Sequence, residues 1–229
     1  MTDHVQTLDY GLASTVEQRN KVMRNTYWLL SLSLLPTVLG AWVGVTTGIT
    51  ASLTGFVGLI VFLGGAFGFM YAIEKTKNSA MGVPILLAFT FFMGLMLSRM
   101  IGTILGFKNG SELIMMAMGG TAGVFFVMAT LASVIKRDLS GMGKWLFVGA
   151  LVVMVGGIVN VFVGSTAGMM ALSVAVIGIF SAYMLYDLKR IIDGGETNYI
   201  SATVSLYLSL FNVFQALLAL LGIAGGERE

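Results

Sequence analysis

One carboxylate stands apart from the rest of this sequence. Asp187 closes a long apolar run in the order Tyr183-Met-Leu-Tyr-Asp187-Leu-Lys-Arg190. Ionisable groups inside such runs are rare and costly, so each calls for a role. Two roles fit. Asp187 is either an interfacial carboxylate neutralised by Lys189, Arg190 or Lys75, or a partly buried group facing other helices as a proton-sensitive latch or cation ligand. A second polar set follows at helical spacing. Ser205, Ser209 and Asn212 recur at i, i+4 and i+7, with Gln215 close by, and so share one stripe. Lipid would not tolerate Asn or Gln, so the stripe must face protein and the last helix should be the central one. Interhelical hydrogen bonds, with Asn160 as a candidate partner, account for the stripe without any transport path.

Between these two sets lies Asp193-Gly-Gly-Glu-Thr-Asn-Tyr199, a glycine pair with two acids. It reads as a turn followed by a helix start, with Asn198 or Thr197 as the capping residue. No basic residue follows the glycines, so it is not a phosphate loop and implies no nucleotide cofactor. Asn109-Gly-Ser111 matches a glycosylation sequon, a short pattern that arises easily by chance. Much other chemistry is excluded by composition. Cysteine is absent and the one histidine is His4, near the N-terminus. Thiolate sites, zinc-hydrolase chemistry and Ser-His-Asp chemistry therefore lack their residues. No nucleophile–base pair can be assembled, so an enzyme is not expected. The net charge of +2 gives no footprint for a nucleic-acid partner.

The elements that hold these residues follow from hydropathy. Of 229 residues, 57% are hydrophobic and 10% charged, against about 25% charged in soluble domains. So few charges cannot cover a water-exposed surface, and the partner of most of the chain must be the lipid bilayer. A helix needs roughly 20 apolar residues to span it. Seven runs qualify: Tyr27–Thr47, Ala51–Ile73, Pro84–Gly106, Glu112–Ile135, Lys144–Gly164, Thr166–Asp187 and Ser201–Gly222. The fold class is therefore an all-α integral membrane protein. A polar N-terminal tail covers 1–25, unlike a cleavable leader. A membrane domain covers 26–224, and a short tail covers 225–229.

Basic residues set the expected orientation. Arg19, Lys21, Arg24, Lys75, Lys77, Lys136, Arg137, Lys144, Lys189 and Arg190 fall at one end of the bundle, here called the basic end. Arg99, Lys108 and Arg228 fall at the other. The basic end, with the N-terminus, is expected in the cytoplasm and the C-terminus outside. Arg99 is expected to snorkel. Gly64 and Gly68, and likewise Gly119 and Gly123, have the spacing that lets helices pack closely in lipid, and packing within the bundle is expected of them. Pro36 should kink the first helix.

Three segments carry a resemblance. Lys21-Val-Met-Arg-Asn-Thr-Tyr27, Met118-Gly-Gly-Thr-Ala-Gly-Val-Phe-Phe126 and Gly194-Gly-Glu-Thr-Asn-Tyr-Ile-Ser-Ala-Thr-Val-Ser-Leu-Tyr207 resemble the YccA branch of the Bax inhibitor-1 family. The likeness covers essentially the whole chain. It implies seven transmembrane helices, six surrounding a central C-terminal helix. It also implies one of two activities. Bacterial members of this branch look like substrates and modulators of FtsH, the ATP-dependent protease of the inner membrane, working alongside the HflK–HflC complex. The segment Met1–Asn25, beginning Met1, Thr2, Asp3 and His4, would then be the handle that the protease grips. Members related to the animal proteins are instead pH-sensitive calcium leaks governed by an aspartate pair on the last two helices. Asp187 matches the first of that pair and Ser209, near Asn212, falls at the second. Half of the pair is missing here, which weakens the leak.

Overall fold

Backbone N–H and C=O groups find no water in a bilayer, so each apolar run must satisfy its own hydrogen bonds by coiling into a helix. A computed structural model describes the backbone of residues 2–226 and the side chains of residues 16–226. Seven helices appear among them: α1 Thr2–Thr47, α2 Gly55–Thr76, α3 Gly82–Leu105, α4 Gly110–Val134, α5 Met142–Val163, α6 Thr166–Ile192 and α7 Tyr199–Gly225. All seven are long and apolar enough to cross a membrane. This is a seven-span membrane protein.

Local chemistry ends the helices where the apolar runs stop. Gly164 takes φ +66 at the end of α5, a left-handed conformation open to glycine, and its N–H reaches the Asn160 carbonyl. The Ser165 hydroxyl then accepts from the Gly168 N–H and starts α6 at once. Two boundaries differ from the sequence reading. α6 runs five residues past Asp187, so Asp187 lies inside the helix. α1 begins at Thr2, although its apolar run starts only at Tyr27. The stretch 2–25 contains no proline and a single glycine, so nothing stops the helix where the hydrocarbon ends. At 1.5 Å per residue the whole helix is about 70 Å long, against about 30 Å for a hydrocarbon core. It runs on through Pro36.

α7 is the centre. No residue from Tyr199 to Gly222 is exposed, and α6, α4, α1, α3 and α2 all pack on it. α5 is the outermost helix, packed on α6, with only Leu146 and Val153 buried. The most extensive seam joins α1 to α3. There a Cβ built on Gly94 would lie 2.0 Å from the Thr37 carbonyl oxygen, and one on Gly40 would lie 2.2 Å from that of Phe91. The backbones touch, and only glycine fits.

The expected glycine pairs do something else. Gly64, Gly68, Gly119 and Gly123 are exposed and have no neighbouring atom within 4 Å of a built Cβ. The expectation that they pack inside the bundle is overturned. The pair that does so is Gly40 and Gly44, where a Cβ on Gly44 would meet the Ser98 side chain at 2.3 Å.

Candidate functional site

The polar residues of α7 fall on two sides: the expected stripe faces protein, with none of it exposed, but the hydrogen bonds to other helices come from the other side. Tyr207 is fully buried. Its hydroxyl pairs with the Thr37 hydroxyl of α1 at 2.8 Å and donates to the Thr90 carbonyl of α3 at 3.5 Å. One turn earlier, the Thr203 hydroxyl donates to the Tyr199 carbonyl at 2.7 Å and reaches the Thr26 carbonyl of α1 at 3.4 Å. Phe89 and Phe211 flank the Tyr207 ring. Thr203 and Tyr207, spaced i and i+4, thus join α7 to α1. Neither was singled out, because Thr and Tyr are ordinary in apolar helices.

The expected stripe is quieter. Ser209 is buried but makes no hydrogen bond among the described residues, and Ser205, Asn212 and Gln215 are half-buried. The Asn212 amide donates to the Leu208 carbonyl of its own helix at 2.7 Å. Asn160 is not its partner. Its side-chain oxygen lies beside Gly168 near the α5–α6 turn, 2.7 Å from where a Cβ would be.

Asp187 is half-buried on α6 and has no hydrogen bond or ion pair among the described residues. Each cation expected to neutralise it makes its ion pair or ring contact elsewhere, although the Arg190 charge also acts on Asp187 through space. Lys189, its stem buried, bridges Asp193 at 2.6 Å. Arg190 pairs with Glu196 at 3.4 Å, and Lys75 stands over the Tyr71 ring. Asp187 and Ser209 are not joined by any hydrogen bond. In the α6–α7 hairpin Asp187 lies five residues before the end of α6 and Ser209 ten residues into α7. They therefore lie at different distances along their helices from the connecting loop. Of the handle residues, Met1 lies outside the described residues. Thr2, Asp3 and His4 begin α1, their side chains also outside them. The tail at 225–229 is described only for Gly225 and Gly226.

The α6–α7 loop is the most densely bonded part of the basic end. Asn198 caps α7, its side-chain oxygen accepting from the N–H groups of Ile200 and Ser201 at 2.9 and 3.0 Å. Its amide donates to the Lys77 carbonyl and the Asn78 side chain of the α2–α3 turn, at 3.1 and 2.8 Å. Arg19 of α1 donates to the Ile192 carbonyl at 3.3 Å. The Arg19 stem lies against Gly194, where φ is +82 and a Cβ would come within 2.9 Å. Three separate parts of the chain thus meet in six residues. In the α4–α5 loop the Asp138 carboxylate accepts from the Ser140 backbone N–H and hydroxyl, which hold it below the usual carboxylate range. At the far end, exposed Arg99 donates to the Leu53 carbonyl, and Thr50 pairs with Ser98 at 2.8 Å.

The arrangement offers tight packing, a bonded loop and a half-buried carboxylate, Asp187, with no hydrogen bond or ion pair among the described residues. Comparison with known proteins adds the following. Residues 19–226 match the family described as "Inhibitor of apoptosis-promoting Bax1". The chain is 42% identical to the "Modulator of FtsH protease YccA" of Escherichia coli K12, covering 91% of this chain and 92% of that protein. It is 37% identical to a membrane protein of Vibrio cholerae, over 93% of each, and 34% identical to a Pseudomonas aeruginosa protein, over 97% of this chain and the whole of the other.

Proposed function

This chain belongs to the Bax inhibitor-1 family, and we propose that it is an inner-membrane modulator and slow substrate of the protease FtsH. It acts by occupying the protease and carries out no chemistry of its own. The carrying observation is the 42% identity, nearly end to end, to a protein named for that role. The basic end faces the cytoplasm, as the ten-to-three distribution of Lys and Arg favours, and the HflK–HflC complex is its expected neighbour.

The fold supplies a reason for slowness. The handle is the N-terminal part of α1, so pulling on it loads the helix with the most extensive seam. Backbone contacts at Gly40 and Gly94, and the Thr37–Tyr207 and Thr26–Thr203 bonds, must all yield before α1 can leave. The handle itself is helical from Thr2 and must be unwound before it enters a pore.

The experiment is to produce the chain in cells containing FtsH and follow the half-life of another FtsH substrate. That half-life should lengthen as the chain accumulates. A form lacking residues 2–15 should insert but survive longer than the full chain. An unchanged half-life of the second substrate would dismiss the modulator role, and equal turnover of both forms would dismiss the handle. A calcium leak is the weaker reading, since it rests on Asp187 with Ser209 in place of a second carboxylate. Liposome calcium flux that falls in Asp187→Asn would revive it.

A further inference from the structure

On the outer side of α1 an open groove of about 650 Å³ is lined by Asn25, Trp28, Ser31, Leu32 and Leu35, with Tyr199 of α7 beside them. Positions 21, 24, 25, 28, 32 and 35 recur at helical spacing, so Lys21 and Arg24 stand on the same face, next to the polar mouth. Both are exposed, and neither belongs to an ion pair among the described residues. Glu17, also exposed, lies a turn farther out. From Asn25 to Leu35 the groove runs about 15 Å, half of a 30 Å hydrocarbon core and so the depth of one leaflet. Trp28, 74% exposed, sits between the polar mouth and the apolar wall, where an indole is stable at a membrane interface.

We propose that this groove holds an acyl chain of an anionic phospholipid, with the headgroup phosphate against Lys21, Arg24 and Asn25. Lipid is the surrounding medium at the depth of Leu32 and Leu35. What the residues add is a choice among lipids, because two unpaired cations stand over the mouth. Each basic residue near an anionic surface strengthens binding about fivefold.

The three tryptophans make a direct test possible: Trp28 lies in the groove, Trp42 farther along α1 at the opposite end, and Trp145 on α5. A Trp42→Phe/Trp145→Phe chain leaves Trp28 as the reporter, and a Trp28→Phe/Trp145→Phe chain leaves Trp42. Each is reconstituted in vesicles of brominated phosphatidylglycerol or brominated phosphatidylcholine diluted with unbrominated phosphatidylcholine. Trp28 should reach half-quenching at a roughly tenfold lower fraction of the anionic lipid, while Trp42 treats both lipids alike. Lys21→Gln with Arg24→Gln should bring the Trp28 ratio to about one. High salt should do the same without any substitution, which guards against a variant that fails to fold. Equal quenching of Trp28 by both lipids would overturn the proposal, as would a preference that survives both the double variant and high salt. Shielding of Trp28 from both lipids, with Trp42 still quenched, would place protein in the groove and overturn it equally.

Discussion

Gly40 and Gly44 in α1 share their four-residue spacing with Gly64 and Gly68 in α2, yet the fold uses the two pairs in opposite ways. The first pair is pressed against α3 so closely that a Cβ would overlap carbonyl or hydroxyl oxygens. The second lies open on the outer face of α2. Their surroundings differ in hydroxyls. Around the α1–α3 seam stand Thr37, Thr50 and Ser98, and Thr50 and Ser98 bond to each other across it. No such set lines Gly64 and Gly68. In lipid the apolar surface of a helix gains nothing by meeting another, so association depends on close approach together with hydrogen bonds. Glycine permits the first, and Ser98 on α3 with Thr50 in the turn after α1 supplies the second.

The sharpest way to break this contrast is Gly94→Leu. Its Cβ would fall 2.0 Å from the Thr37 carbonyl, and backbone cannot yield as a side chain can. The loss should exceed the roughly 1–3 kcal/mol usual for overpacking. Reversible unfolding in a mixed detergent should show it, and a near-wild-type midpoint would mean the seam is not where stability resides. A smaller effect is expected from Tyr207→Phe, which removes the bond to Thr37 and keeps the ring between Phe89 and Phe211. It should cost about 0.6 kcal/mol and at most about 1.7 by the same measurement. A larger loss would show the hydroxyl to be part of a wider network. Least of all should happen in Gly64→Ala with Gly68→Ala, where open space receives both methyl groups and stability should stay within about 0.5 kcal/mol. Clear destabilisation there would erase the distinction between the two pairs.

The spans were legible because lipid leaves a long apolar run one conformation. Six of the seven boundary pairs fall within five residues of the sequence reading. The start of α1 was not legible, since an apolar-run criterion detects hydrocarbon, and a helix continues until something breaks it. Asn198 as the cap was readable because capping is local. The seam between α7 and α1 was not: Thr203 and Tyr207 carry hydroxyls that look incidental, whereas Asn212, the conspicuous amide, is satisfied inside its own helix. Asp187 was visible as an oddity, but its lack of a partner depends on Lys189, Arg190 and Lys75 each finding another contact.

The enclosure of α7 has a consequence for biosynthesis. The helix that every neighbour but α5 packs against leaves the ribosome after the other six, a few seconds behind α6 at about 5–20 residues per second. Until it arrives, the Thr37 hydroxyl and the Thr90 carbonyl have no Tyr207, and the first six helices surround a place that lipid or a chaperone must fill. The bundle therefore closes only once α7 has emerged. A nascent chain halted at Ile192 should lie open to a membrane protease at the stage when the finished protein is hardest to dismantle.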